Sequence, residues 1–191
     1  MSSKQQQIMA SAREIIENKG MGGLTVARLS HRIGVSDGAI YRHFDSKMSI
    51  IKEILNELFY KVSDKMVAEI SNKGPVKSKL KRIIDNLYGL FEEEPGYVSL
   101  LFSEEYFISD EEIFYLMHTI VNTMQLYIRQ MLEQGIENKE LKKDLNSQHM
   151  ALLIMGSMRI TVLNWRLKRN RQGLRKAGEA LTEDLLKLME H

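Results

Sequence analysis

The sequence predicts an all-α fold with a small three-helix domain at the amino terminus and a larger helical domain after it. Apolar residues recur at helical spacing, no segment shows the alternation of a β-strand, and there is no internal repeat. Two short capped helices joined by a glycine occupy residues 24–44. The length of 191 residues is enough for two such domains. We therefore place the first domain at residues 1–50 and the second at residues 51–191.

The first domain begins with a helix predicted over residues 6–19 and continues with the first helix of the capped pair. Thr25 is a suitable N-cap, and Leu24 before it can pack on Leu29 as a hydrophobic staple. Gly34 follows the last apolar residue and can adopt the left-handed conformation that ends a helix without strain on a Cβ atom. We therefore expect a short helix between Thr25 and Gly34.

The second helix of the pair is predicted over residues 37–44, with Ser36 as its N-cap. Ile40 and Phe44 are four residues apart, so they share one face and should point inward. The opposite face is unusual for a helix that only needs to be stable. It contains a glycine, which costs about 1 kcal/mol relative to alanine in a helix interior. The outward residues are Gly38, Ala39, Arg42 and His43, and the Tyr41 hydroxyl adds a further donor.

This outward face suits close approach to DNA. Its small residues admit a large surface, and Arg42 and His43 can donate to base edges or phosphate oxygens. Lys47 lies in the first turn of the following helix, where a cation opposes the helix dipole unless a phosphate also binds there. The alternative for Lys47 is a solvated side chain. A helix-turn-helix is typical of proteins that place one helix in the major groove.

These motifs resemble the TetR family of bacterial one-component transcriptional regulators. The likeness is carried by the first helix with its ending GMGGLTV, by the run LTVARLSHRIGVSDGAIYRHF, and by DSKMSIIKEI, and it covers residues 4–60. Beyond these residues, only the length and the helical character are similar. The resemblance implies an operator DNA, a homodimer and a small-molecule effector as partners.

The resemblance also implies individual DNA contacts. Phosphate contacts are expected from Thr25, Tyr41, His43 and Lys47, and base contacts from residues 36–39 and Arg42. The carboxylate of Asp37 departs from this pattern: it can accept from a cytosine amino group, or it can be a first-turn partner of the helix dipole. The predicted DNA-binding residues are Thr25, Arg28, Ser36, Asp37, Gly38, Ala39, Tyr41, Arg42, His43 and Lys47.

Composition and charge are consistent with a cytoplasmic regulator. The chain contains no cysteine, which excludes disulfides, thiolate metal sites and thiol redox sensing. No stretch is apolar enough to predict a secretory signal or a membrane span. Residues 1–52 carry eight lysines and arginines against four acidic residues, whereas residues 92–112 carry eight acidic residues and no lysine or arginine. The basic end suits DNA, and the acidic stretch is either a solvated surface or a cation site.

The second domain is predicted as helices separated by clear breaks. Pro75 and Pro95 each lie where one helix ends and another begins. A polar loop over residues 135–146 precedes a helix that Asp144 or Asn146 can cap. The predicted helices span residues 46–71, 76–91, 96–107, 110–135, 147–169 and 172–189.

The predicted helices over residues 147–169 and 172–189 indicate a homodimer. Residues 150–163 are apolar almost all round, so this helix should be buried by its own domain on one side and by a partner on another. A dimer also contacts two DNA half-sites, about 34 to 36 Å apart. The alternative is a monomer that buries this helix in its own core. The predicted interface residues are Leu153, Gly156, Ile160, Leu163, Leu181, Leu185 and Leu188.

An apolar ligand pocket is the second expectation for this domain. Methionines recur at heptad spacing within residues 113–132, with aromatic residues beside them, and such side chains line adaptable cavities or fill ordinary cores. A basic cluster over residues 165–171 can bind an anionic ligand group or a second DNA site. Alternatively, it pairs with the acidic stretch or complements the carboxyl end of its helix. The predicted pocket residues are Tyr88, Phe91, Phe102, Tyr106, Met117, Val121, Met124 and Trp165.

No sequence feature predicts catalysis, a cofactor or a metal site. There is no glycine-rich phosphate loop, no cysteine nucleophile, and no pairing of histidine with carboxylate at metal-ligand spacing. His118 and His149 are isolated in the sequence. We therefore expect a protein that is not an enzyme.

Together these features predict a homodimeric transcriptional repressor that an apolar or amphipathic effector releases from a palindromic operator. Two alternatives stay open. One is a DNA-bound adaptor regulated by a protein partner, which would contact residues 92–112. The other is a helical small-molecule carrier that keeps the helix-turn-helix without binding DNA.

Overall fold

A computed structural model describes residues 2–168 and 173–189, which form α-helices and two short 3-10 turns without a strand. This confirms the predicted all-α fold class. The described residues do not include Arg169 and Arg171 of the predicted basic cluster. They also do not include Gln172, at which the last predicted helix begins. The helices are α1 (Ser3–Lys19), α2 (Val26–Ile33), α3 (Asp37–Tyr41), α4 (Lys47–Ser71), α5 (Val76–Glu93), α6 (Pro95–Leu101), α7 (Glu111–Glu137), α8 (Ser147–Leu167) and α9 (Leu174–Leu188).

The chain divides into two compact units. The first contains Met1–Tyr60 and Glu94–Thr119, and the second contains Lys61–Glu93 and Ile120–His191. Helices α4 and α7 contribute residues to both units. The domain boundary predicted after residue 50 falls inside α4 and stays a prediction.

In the first unit, α1 packs closely against α6. The buried face of α1 is formed by Ile8, Ala12 and Ile15. Gly96 in the first turn of α6 lies directly on α1, because a Cβ atom built there would be 2.7 Å from the carbonyl oxygen of Arg13. A larger residue at position 96 would therefore push the two helices apart.

Arg13 connects α1 to α4 and to the start of α6 within the first unit. The Arg13 guanidinium lies 2.5 Å from the Glu57 carboxylate and 2.8 Å from the Glu94 carboxylate. It also lies 4.9 Å from the centre of the Tyr97 ring, within the range of a cation–π contact. Because the Arg13 side chain is only 15% exposed, both ion pairs are largely shielded from water.

The helix predicted over residues 96–107 is wrong in its second half. Helix α6 ends at Leu101, and a separate 3-10 turn, Glu104–Phe107, follows it. The hydroxyl of Ser103 donates to the carbonyl of Ser99 over 2.6 Å. A serine hydroxyl that bonds to the preceding turn offers the backbone an alternative to continued helix, which is consistent with the break.

In the second unit, α5 and α9 fit together at two glycines. The Tyr88 ring of α5 lies on Gly178 of α9, and the Arg175 side chain of α9 lies on Gly89 of α5. A Cβ atom at either glycine would overlap the side chain from the other helix.

The side chain of Asn146 accepts from the backbone N–H of His149 over 2.9 Å, so Asn146 rather than Asp144 caps α8.

Neither a membrane-spanning helix nor a cluster of metal ligands is found in the part of the chain that the structure describes. No helix there combines the length and the apolar character needed to cross a membrane. Within the same residues, no group of three or more histidine, cysteine, aspartate or glutamate side chains is placed to hold a metal ion.

Candidate nucleic-acid interface

The helix-turn-helix begins as the sequence predicts. The Thr25 hydroxyl accepts from the backbone N–H of Arg28 over 3.1 Å and caps α2. Gly34 ends α2 in the left-handed conformation, with φ 74° and ψ 37°. The N–H of Val35 then donates to the carbonyl of Ser30 over 3.0 Å, which fixes the turn into the next helix.

Helix α3 is shorter than predicted, because it ends at Tyr41 rather than at residue 44. The N–H of His43 bonds to the carbonyl of Ile40, three residues back, so the chain tightens into a turn after Tyr41. Ile40 and Phe44 are both buried, as the spacing predicts. Arg42 and His43 thus lie in the turn after α3 instead of within the helix.

Ser36 occupies the N-cap position of α3, but its side chain makes no capping hydrogen bond. Its backbone is extended, with φ −77° and ψ 157°, as an N-cap requires. Since Ser36 is exposed, its hydroxyl is accessible to a ligand at the start of α3.

The predicted DNA-binding residues all retain some solvent exposure. Tyr41 is the largest apolar side chain among them, and it is 53% exposed. The exposed residues of this set are Thr25, Arg28, Ser36, Asp37, Gly38, Tyr41 and Arg42, and the partly exposed ones are Ala39, His43 and Lys47. No Cβ contact restricts Gly38, because the nearest atom to a Cβ built there is the Ser36 hydroxyl oxygen at 3.9 Å. Helix α3 thus presents a surface that DNA can approach.

Asp37 has a partner inside the protein. Its carboxylate accepts a hydrogen bond from the hydroxyl of Ser30, a buried residue of α2. This contact joins the two helices of the motif. It favours the structural interpretation of Asp37 over the interpretation as a base-contacting residue. Ser30 was not predicted from the sequence, although its polar side chain on the inner face of α2 was an available signal.

Arg28 also makes a hydrogen bond within the first unit. Its guanidinium donates to the carbonyl of Gly23, in the 3-10 turn Met21–Gly23 that precedes α2. A guanidinium carries five N–H donors, so this bond leaves others for a phosphate.

Lys47 begins α4 and touches a distant segment of the first unit. Its Nζ atom donates to the Tyr106 hydroxyl over 3.0 Å. At this helix start, the N–H of Ser46 donates to the Ser49 hydroxyl and the N–H of Ser49 donates to the Ser46 hydroxyl, each over 3.1 Å. These bonds order the end of the helix at which a phosphate is expected.

The residues predicted to line a ligand pocket are divided between the two units. Phe102, Tyr106 and Met117 belong to the first unit, and the other five belong to the second. In the second unit, Tyr88, Phe91 and Trp165 are buried, whereas Val121 is 44% exposed. An open groove of about 800 Å³ runs along α5 and α9, and of the eight predicted residues only Tyr88 lines it.

The residues predicted at a dimer interface are exposed or partly exposed on α8 and α9. Leu153 is 58% exposed and Leu188 is 66% exposed. Gly156 has no neighbouring atom within 4 Å of a Cβ built there. Two further leucines of α8, Leu152 and Leu167, are also exposed but were not predicted from the sequence.

An exposed helix-turn-helix on an all-helical chain with a second helical unit defines a class, the DNA-binding transcriptional regulators. Comparison with family models agrees with this class. A model described as "Bacterial regulatory proteins, tetR family" matches residues 8–54, and one described as "Tetracyclin repressor-like, C-terminal domain" matches residues 115–181. Together the two matches cover more than half of the chain. The protein belongs to the TetR family.

Several known regulators are similar to this chain over nearly the whole length. The fatty acid metabolism regulator protein of Bacillus subtilis is 25% identical over 186 residues, which cover 97% of this chain and 93% of the relative. The crystal structure of the Bacillus subtilis regulator FadR in complex with stearoyl-CoA has a TM-score of 0.79 at 24% identity, covering 96% of each chain. A ketosteroid transcriptional regulator of Mycobacterium tuberculosis has a TM-score of 0.83 at 17% identity, covering 100% of this chain and 97% of the other.

Proposed function

We propose that this TetR-family regulator is a cytoplasmic repressor without catalytic activity. A homodimer binds a palindromic operator through α3 and the residues around it, and a long-chain acyl thioester releases the dimer. The observation that carries the DNA-binding part is the open surface of α3 and of the residues at its two ends, where Ser36, Tyr41 and Arg42 are exposed. Small residues at positions 38 and 39 leave room for the duplex to approach closely.

The first experiment is selection of binding sites from random duplex DNA by the purified protein, followed by affinity measurements at several salt concentrations. We expect a palindromic motif with two half-sites. Arg42→Ala should lower affinity for that motif and relax the preference at one position of each half-site, at a cost of about 1 to 3 kcal/mol. The absence of any enriched motif would contradict operator recognition and favour the carrier alternative.

Lys143→Ala is a matched control for the loss of one positive charge. Lys143 is exposed in the loop before α8, in the second unit. Its removal changes net charge as Arg42→Ala does, so it should leave both the preferred sequence and the affinity nearly unchanged. Equal losses in the two variants would indicate nonspecific attraction of DNA by charge alone.

We place the dimer interface on α8 and α9. Exposed leucines on these two helices form an apolar surface of the kind that marks a protein interface. The variant Leu153→Glu should be monomeric and should bind the operator weakly, as measured by sedimentation and by DNA titration. Leu126→Glu is the control, because Leu126 is about equally exposed, at 51%, but lies on α7. Dissociation of the Leu126→Glu protein instead would relocate the interface.

Gly156 gives a second test of this interface. Alanine should stabilise an isolated α8 by about 1 kcal/mol, because the position is helical and nothing lies near the added Cβ within one copy. If two copies approach closely there, the same methyl group will weaken the dimer. We therefore expect Gly156→Ala to raise the dimer dissociation constant. An unchanged dissociation constant would place the closest approach elsewhere.

The acyl thioester is proposed from the named relatives and from the groove along α5 and α9. The Bacillus subtilis relative is a fatty acid metabolism regulator, and FadR was crystallised with stearoyl-CoA. The groove carries more cations than carboxylates, which suits the phosphates of such a ligand. One of these cations, Lys176, makes no ion pair among the residues that the structure describes. The cationic residues of the groove are Lys81, Arg82, Arg175 and Lys176, and the acidic ones are Asp85 and Glu179.

Stearoyl-CoA tests this assignment directly. When it is added to the protein–operator complex, DNA fluorescence anisotropy should fall, because a ligand that prefers the non-binding state shifts the population away from DNA. Free coenzyme A and stearate are the controls for its two halves. If saturating stearoyl-CoA leaves operator affinity unchanged, the acyl thioester is not the effector.

A further inference from the structure

The first unit exposes a group of large apolar side chains around the start of α7. Two tyrosines, a phenylalanine and an isoleucine lie within ten consecutive residues there, and they are between 42% and 72% exposed. Single exposed apolar residues are ordinary on a protein surface, but a group of them marks a surface that binds another molecule. We call this group the aromatic surface, and its residues are Tyr106, Ile108, Phe114 and Tyr115.

Buried residues fix this segment on the core of the first unit. Phe107 is fully buried, and it stands between the exposed Tyr106 and Ile108. On α7, Ile113 and Met117 are buried on the inner face. The aromatic surface is thus anchored from below along its whole length, so a partner would meet a preformed surface and lose less entropy in binding.

Two carboxylates in the same segment have no cation of their own. Glu105 and Glu111 are exposed, and neither makes an ion pair among the residues that the structure describes. Glu111 precedes Phe114 and Tyr115 by three and four residues, so the three side chains share one face of α7. An aromatic ring beside such a carboxylate attracts a lysine or arginine, because both the ring face and the charge favour a cation.

One ring of the aromatic surface already contacts a cation of this protein. The Lys47 Nζ atom lies 5.2 Å from the centre of the Tyr106 ring, within the range of a cation–π contact. Among the described residues, no lysine or arginine lies over the ring of Phe114 or Tyr115 in this way. These two rings are therefore the ones open to cations from a partner.

The aromatic surface differs in chemistry from the proposed dimer interface. The large apolar residues exposed on α8 and α9 are leucines and an isoleucine, which suit a second copy of the same aliphatic surface. Two copies of the aromatic surface would instead bring carboxylates of like charge together, which is unfavourable. The aromatic surface therefore fits a partner of opposite charge.

We propose that the aromatic surface binds a partner protein, through a segment in which lysine or arginine residues stand next to apolar ones. The apolar residues cover the rings, which are of the type enriched at the centres of protein interfaces, and the cations pair with Glu105 and Glu111. The surface belongs to the same unit as the helix-turn-helix, so the partner is held at the operator. This adds a protein partner to the proposed repressor and does not depend on the acyl thioester.

The test selects binders from a phage library of short random peptides, with full-length wild-type protein as the target. We expect the enriched sequences to combine lysine or arginine with leucine, phenylalanine or tryptophan. Enriched peptides are then synthesised with a fluorescent label, and their affinity is measured by anisotropy. Tyr115→Ala should weaken binding about fivefold or more, as the loss of a central aromatic residue does in protein interfaces.

Tyr60→Ala is the control for the loss of an exposed tyrosine. Tyr60 is 64% exposed on α4 of the first unit, outside the aromatic surface, so this variant should bind the peptides as wild type does. Circular dichroism checks that both variants remain helical.

Glu111→Gln tests the contribution of charge. It should weaken peptide binding about two- to threefold at low salt and less at high salt, because an exposed ion pair is weak and is screened. Glu137→Gln is the control. Glu137 is exposed in the second unit, so its loss should not change the affinity.

Several results would overturn the proposal. If selection enriches no peptide, or only peptides without basic residues, the surface does not bind a cationic partner. Enriched peptides that bind wild type and Tyr115→Ala equally would occupy another surface. If Tyr115→Ala dissociates the dimer in sedimentation, the aromatic surface is an interface between copies of this chain. None of these results decides whether the protein binds an operator or stearoyl-CoA, which are measured separately.

Discussion

The ammonium of Lys47 donates a hydrogen bond to the hydroxyl of Tyr106 over 3.0 Å, although 59 residues separate them in the sequence. Lys47 is the residue at the start of α4 for which a phosphate contact is expected. Tyr106 belongs to the 3-10 turn after α6 and was predicted in a ligand pocket. In the structure its hydroxyl lies against a candidate DNA contact.

The pair gives a prediction on DNA affinity. A lysine ammonium has three donors, so Lys47 can keep its bond to Tyr106 while it binds a phosphate. Tyr106→Phe removes an acceptor that holds the lysine in place, and it should weaken operator binding about threefold through lost preorganisation. The dependence of affinity on salt should not change, because the charge remains.

Lys47→Ala is the comparison for this variant. It removes the charge, so it should lower the slope of log affinity against log salt concentration by about one. Both variants are measured by titration of labelled operator at several salt concentrations. Tighter binding by Tyr106→Phe would show that the hydroxyl competes with the phosphate instead of positioning the lysine.

Asp37 should influence DNA binding through its charge and the fold through its bond to Ser30. Asp37→Asn keeps an acceptor for the Ser30 hydroxyl but removes a negative charge from the DNA-facing surface. We expect it to bind DNA more tightly, with the same preferred sequence, and to unfold in urea near the wild-type midpoint. A changed base preference at one position would instead identify Asp37 as a base-contacting residue.

Ser30→Ala isolates the structural half of that contact. It should lower the free energy of unfolding by about 1 kcal/mol, because a buried hydroxyl loses its bond to a carboxylate that can still be hydrated. Urea denaturation measures the change. No loss of stability would mean that the bond contributes nothing to the packing of α2 on α3.

Arg13 should be far more important for stability than an exposed arginine of the same unit. Arg13→Met would leave Glu57 and Glu94 without their shared partner, at 27% and 30% side-chain exposure. We expect a loss of about 2 to 3 kcal/mol in the free energy of unfolding. Arg32→Met is the control. Its pair with Glu14 is about half exposed on both sides and should contribute less than about 1 kcal/mol.

Glu69 should make stability depend on pH. The Arg82 guanidinium donates to both carboxylate oxygens, over 3.1 and 2.7 Å, and these bonds hold the pKa of Glu69 below its ordinary value of 4.5. A carboxyl whose pKa is lowered by folding stabilises the protein above its unfolded pKa, and this stabilisation disappears as the pH falls through the folded pKa. Glu69→Gln should therefore be less stable than wild type near neutral pH.

The difference between these two proteins should shrink as the solution is acidified through the lowered folded pKa of Glu69. Urea unfolding at a series of pH values measures it. Asp184→Asn is the control, because Asp184 pairs with Lys187 at the surface with both side chains more than 60% exposed. A Glu69→Gln difference that stays constant with pH would contradict this ionic origin.

The local parts of the fold were predictable from sequence, and the distant contacts were not. Thr25 and Gly34 occupy their predicted cap positions because capping depends on a few neighbouring residues. The end of α3 at Tyr41 and the break after α6 were missed, since helical spacing continues through both places while the backbone turns away. No periodicity pairs Lys47 with Tyr106 or leaves the Trp165 indole without an acceptor among the described residues, because these relationships arise only when separate elements pack.

The two glycines between α5 and α9 have a consequence for motion. The Tyr88 ring of α5 lies on Gly178 of α9, and the Arg175 side chain of α9 lies on Gly89 of α5. Each helix therefore places a side chain on a glycine of the other. Sliding either helix by one residue would drive a side chain into a backbone. If the effector displaces α9, that helix must therefore travel together with α5 as a single rigid body.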